Sequence, residues 1–147
     1  MPDTIGVSSE ELFARIETVL KSGIEKSTPL INKYLHETLV LACNEATRNN
    51  NEAYGNVFAQ IDFLCRKYNI ASPDRFAIQT MRRHTNGIVP IEGKDLGYDL
   101  RALAIFISRI FSVDIPPGVF NLLPHDIQPV DKHILVDVVY IRCIVQS

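Results

Sequence analysis

The sequence predicts an all-α fold, a compact bundle of five to six helices packed around a central apolar helix at about residues 95–112. Three observations predict it. Apolar residues recur at three- and four-residue steps through most of the chain. Residues suited to helix starts stand ahead of these runs, at Ser8, Thr28, Ser72 and Asp95. And the stretch that follows Asp95 is apolar nearly all round, as a helix enclosed on every side must be.

Ser8-Ser9-Glu10-Glu11 reads as a capping box, in which Ser8 covers free backbone amides and Glu11 reaches back. Leu12, Phe13, Ile16, Val19 and Leu20 then carry the first helix to about Gly23. Thr28 followed by Pro29 opens the second, since a proline at the first helical position gives up no hydrogen bond. Its expected buried stripe is Leu30, Ile31, Tyr34, Leu35, Leu39 and Ala42, and Asn49-Asn50-Asn51 ends it. A third helix is expected over Glu52–Tyr68, burying Val57, Phe58, Ile61, Leu64, Cys65 and Tyr68, with Asn69 as its C-terminal cap. Ser72-Pro73 repeats the start signal, and Gly87 supplies a left-handed terminator for a fourth helix over Pro73–Asn86.

The fifth helix takes Asp95 as its cap and stops at about Ser112, before Pro116-Pro117. Tyr98, Arg101, Ser108, Arg109 and Ser112 form its narrow polar stripe, and the remaining circumference is apolar, which makes it the hub. Four prolines and Gly118 give an irregular loop over residues 113–129, with a short turn at Val119–Leu123. Residues 130–146 are rich in Val and Ile; a helix is expected, with a strand as the alternative, because no second strand is present to take up its backbone groups.

A chain of 147 residues is of single-domain size, and 46% hydrophobic with 22% charged residues is an ordinary globular composition. The whole of 1–147 therefore reads as one helical domain. Its apolar ending at Ile144-Val145 suggests the N-terminal part of a larger protein. Cys43, Cys65 and Cys143 are odd in number, far apart and set in apolar segments, which suits reduced thiols and a cytoplasmic location. No apolar run reaches the ~20 residues of a membrane span.

Catalytic and metal chemistry find little support. His36-Glu37 begins a zinc-binding His-Glu-x-x-His pattern, but Val40 occupies the second histidine's place. His125, Asp126, His133 and Cys143 lack closely spaced ligand pairs, and Gly87, Gly93 and Gly97 lack the spacing of a phosphate loop. Glu92, Asp95 and Asp99 read as acidic residues complementing a helix N-terminus. His84 reads as a core-edge residue with no paired group nearby. No catalytic, cofactor or metal set is expected.

The net charge is −2, but it is unevenly spread: residues 60–89 carry five basic against two acidic residues (+3). On the fourth helix Arg75, Gln79, Arg82 and Asn86 share a face, with Arg83 alongside and Phe76, Ala77, Met81 and His84 opposite. With Arg66 and Lys67 ahead of the short 69–72 connection, this order permits a helix-turn-helix that offers guanidinium and amide groups to phosphates and purine edges. Asn69 in place of the usual turn glycine and the position of Phe76 depart from that motif. The expectation is a non-catalytic helical accessory or interaction domain that meets a protein partner or an additional domain of its own polypeptide. The alternative is a nucleic-acid-binding module using Arg66, Lys67, Arg75, Gln79, Arg82, Arg83 and Asn86.

Overall fold

A computed structural model describes residues 6–22, 28–48, 56–87 and 93–125. Within them the fold is all-α, a bundle of α1 (Ser9–Lys21), α2 (Pro29–Thr47), α3 (Val57–Lys67), α4 (Ser72–Thr85), α5 (Gly93–Phe111) and the short α6 (Pro117–Phe120), with no strand among the described residues. The expected helix or strand at 130–146, the Asn49–Asn51 turn, Glu92, Asp126, His133 and Cys143 lie outside those residues.

The caps show why the helices begin where they do. Ser8, in extended backbone, accepts from the Glu11 amide, and Thr28 accepts from Ile31 in front of Pro29, both as the residue types require. α3 starts five residues later than expected, at Val57, because Asn56 turns to extended backbone and its Oδ1 accepts from the Ala59 amide at 2.8 Å. Ser72 is inside α4 rather than capping it, and Ala71 holds the cap position without a side-chain bond. α5 begins at Gly93, which puts Asp95 in the first turn instead of at the cap.

Two helix ends close on left-handed residues. Asn69 has φ 52°, and the Ile70 and Asn69 amides return to the carbonyls of Cys65 and Arg66, a Schellman motif whose trailing Ile70 is buried. Ser112 has φ 54° and lets the Val113 amide bond the Ser108 carbonyl, so α5 stops before the proline pair is reached. Gly87, by contrast, keeps its φ outside the left-handed region; α4 ends through the Asn86 and Gly87 amides, which donate to Arg82 and His84 carbonyls.

α5 is the hub. It packs on α4, α1 and α2, and buries Leu96, Leu100, Leu103, Ala104, Phe106, Ile107 and Ile110. Tyr98, expected in its polar stripe, is buried as well. Around it stand Leu12, Phe13 and Ile16 of α1, Leu35 and Leu39 of α2, Ile61 and Leu64 of α3, and Ile78 and Met81 of α4. Arg15 clips α1 to α2: its Nε donates to Thr38 Oγ1 at 2.7 Å and its guanidinium lies 3.9 Å from the centre of the Tyr34 ring.

The buried stripe of α2 differs from the expected one. Leu30 is 76% exposed, while Asn32, Thr38 and Thr47 join Leu35, Leu39, Ala42 and Cys43 inside. Thr38 and Thr47 satisfy their hydroxyls on carbonyls one turn back. Asn32 does not: neither carboxamide atom finds a hydrogen bond among the described residues. Leaving a buried polar group unpaired costs about 1–3 kcal/mol.

Candidate functional site

The most distinctive surface lies where α3 meets α4, over the basic stretch of the chain. α4 turns Ile78, Met81 and Thr85 into the core, at i, i+3 and i+7. This rotates the helix away from the expected docking face. Phe76 lies nearly opposite the buried stripe and is 42% exposed, and on α3 Phe58, expected inside, is 53% exposed. Phe76, Gln79 and Arg83, again at i, i+3 and i+7, therefore share the outer face of α4.

The expected contact residues do not all point outward. Gln79 donates through Nε2 to the Phe58 carbonyl at 3.3 Å. Arg82 donates through Nε to Gln79 Oε1 at 2.7 Å, and its guanidinium carbon stands 5.4 Å from the centre of the Phe58 ring. Burial, with Arg83 adding to it, lowers the Arg82 pKa. Arg75 bends back to the Ile70 carbonyl at 3.4 Å, and its Nε is buried. Gln79 and Arg82 thus brace α4 against α3 and Arg75 braces it against the connection between them, while Arg83 and Asn86 are exposed. Arg66 is paired with Asp62 at 2.7 Å, and Lys67 stands 5.4 Å from the Tyr68 ring and 6.0 Å from that of Phe63.

No family model, curated protein or solved structure matches this chain. Two exposed phenylalanine rings, that of Phe58 covered by a guanidinium held by the Gln79 carboxamide and that of Phe76 on the outer face of α4, put apolar and cationic groups on the same side of the bundle. Aromatic residues and arginine are the types that anchor interfaces, because they bury much area with few torsions to freeze.

Two polar features escaped the sequence reading. His84 has a paired group after all: its Nδ1 lies 2.7 Å from Asp99 Oδ2, and Asp99 is 4% exposed. Burial pushes the Asp99 carboxyl up to about 6, against the hydrogen bond and charge of His84 and with the help of Asp95. Asp99 falls one turn after Asp95 on an otherwise apolar helix face, and that spacing was the available signal. His36 lies 3.4 Å from Thr85 Oγ1, and burial together with the Arg82 charge lowers its pKa although Glu37 pulls the other way. Among the described residues no three His, Cys, Asp or Glu side chains gather as metal ligands, and no helix is long and apolar enough to cross a membrane.

Proposed function

We propose that this chain is a non-catalytic protein-interaction domain that docks an acidic, apolar helical segment of a partner protein on its α3–α4 face. The observation that carries this reading is the exposure of Phe58, with Arg82 over its ring, and of Phe76, which shares the outer face of α4 with Arg83. The rings supply apolar area, and the local charge of +3 over residues 60–89 selects partners of the opposite sign. Gln79 and Arg82 are already held, so less side-chain freedom is lost on binding.

The test is fluorescence anisotropy of a labelled amphipathic helical peptide bearing Leu and Phe on one face and Glu on its flanks, beside a copy with Lys for Glu. The acidic peptide should bind saturably and the basic one should not. The Phe58→Ser/Phe76→Ser double variant should lose binding while keeping its helical circular dichroism. Equal binding of both peptides, or an unaffected double variant, overturns the reading.

A nucleic-acid reading has one observation in its favour. The left-handed Asn69 lets α4 follow α3 after four residues, as a helix-turn-helix requires, with Arg83 and Asn86 exposed towards the end of α4. Its contact set is reduced, because Arg75, Gln79 and Arg82 bond within the fold. Labelled duplex DNA separates the two: binding that weakens steeply with salt and is lost in Arg83→Glu, but survives the double phenylalanine variant, belongs to nucleic acid.

A further inference from the structure

The α3–α4 face has a titratable neighbour on α2. Along α4, Gln79 meets Phe58 of α3, Thr85 meets His36 of α2, and Arg82 stands midway, one turn from each. Steps of three residues move about 60° around a helix, so these side chains sweep from one neighbouring helix to the other and Arg82 borders both. Towards α3, its guanidinium carbon lies 5.4 Å from the centre of the Phe58 ring. Towards α2, half-buried His36 is held below its ordinary pKa by burial and then by the Arg82 charge, against the pull of Glu37.

His36 faces an open groove between α2 and the end of α4, so water and protons reach its ring. Thr85 Oγ1 donates to the Met81 and Arg82 carbonyls at 3.0 and 3.3 Å, which leaves it to accept from His36 Nδ1–H at 3.4 Å. Nε2 is then the atom that takes up a proton, and the contact with Thr85 outlasts the change of charge. The charged groups about the ring are Arg82 from α4, Lys33 and Glu37 of its own helix, and Arg15 of α1, which lies 3.8 Å from Glu37. Among the described residues, α3 and α5 contribute none to the lining of the groove.

We infer that His36 regulates the α3–α4 face, its charged imidazole tightening the docking of an acidic partner. This regulation rests on the docking proposed above. A partner carboxylate paired with Arg82 offsets the charge that opposes protonation of His36, and the linkage is reciprocal, so a proton on His36 favours that carboxylate. The bound form takes up the proton at a higher pH than the free form. Affinity therefore rises as pH falls through the bound form's midpoint, and the gain is complete below the free form's.

The test uses the acidic peptide with homocysteate in place of glutamate, so that its charge stays fixed. Anisotropy titrations at about pH 7.5 and 5 should show affinity rising about three- to tenfold at the lower pH, the scale of an interaction between partly exposed charges. Most of the rise should be lost in His36→Gln, in which the His84–Asp99 pair still titrates. Nuclear magnetic resonance of the His36 ring reads the linkage directly. Its titration midpoint should rise when peptide saturates the protein and, in the free chain, when Arg82→Gln removes the charge. Should His36→Gln fail to fold, that midpoint decides. No binding at either pH overturns the docking and this regulation with it. Equal binding at both pH values, an equal rise in His36→Gln, or a His36 midpoint unmoved by peptide or by Arg82→Gln overturns the regulation and leaves the docking standing.

Discussion

Asp99→Asn should change how the stability of this protein depends on pH. Asp99 sits 4% exposed on α5 with His84 Nδ1 at 2.7 Å, and burial lifts its carboxyl from 3.8 to about 6. The folded chain therefore holds this proton over a window in which the unfolded chain has released it. The stability it contributes is complete below the unfolded value of 3.8 and is lost as pH rises through about 6. At ~1.4 kcal/mol for each pKa unit, a rise of about two units amounts to about 3 kcal/mol. Asparagine keeps the planar shape and an oxygen that accepts from His84, yet does not titrate. Urea unfolding of both proteins across about pH 3.5 to 7 gives the difference in unfolding free energy at each pH, in which groups that do not interact with Asp99 cancel. The variant should gain on the wild type by about 3 kcal/mol over that range, with most of the change between pH 4 and 6. A difference flat to about 0.5 kcal/mol would refute the claim that burial governs Asp99.

Three further outcomes follow from the packing. Leu103 is fully buried on the hub helix, so Leu103→Ala should cost about 2–5 kcal/mol in urea unfolding, against little for the 76%-exposed Leu30→Ala. Ser112 holds a left-handed φ of 54° that strains any side chain, so Ser112→Gly should stabilise by about 1 kcal/mol, read as a raised melting temperature, offset in part by the greater freedom of the unfolded glycine. Burial pushes the Cys43 and Cys65 thiols up to about 12 and about 11, so iodoacetamide at neutral pH should spare both in the native chain, and peptide mass spectrometry should find them alkylated only after unfolding.

Much of the fold was legible because helix starts and periodicity are local properties. Ser8 and Thr28 cap as their side chains dictate, and the apolar circumference of α5 marked it as the hub. Less legible was the rotation of each helix about its own axis. Leu30, Phe58 and Phe76 lie within apolar patterns yet remain exposed, because periodicity says which residues can be buried and packing decides which meet a neighbour. The candidate site changed for the same reason. The stripe of Arg75, Gln79 and Arg82 was visible on α4, but their bonds to Ile70 and Phe58 and to one another depend on how α3 lies beside it. Asn32 and Asp99 give no sequence signal strong enough to mark them as buried, since polar residues are ordinarily outside.

The most direct test of the α3–α4 face is to attach a spin label to the acidic amphipathic peptide and record which amides of the protein it broadens. Docking as proposed broadens Phe58, Phe76, Gln79 and Arg83 and leaves α1 and α6 sharp. Broadening centred on another part of the bundle, or none at saturating peptide, would contradict it.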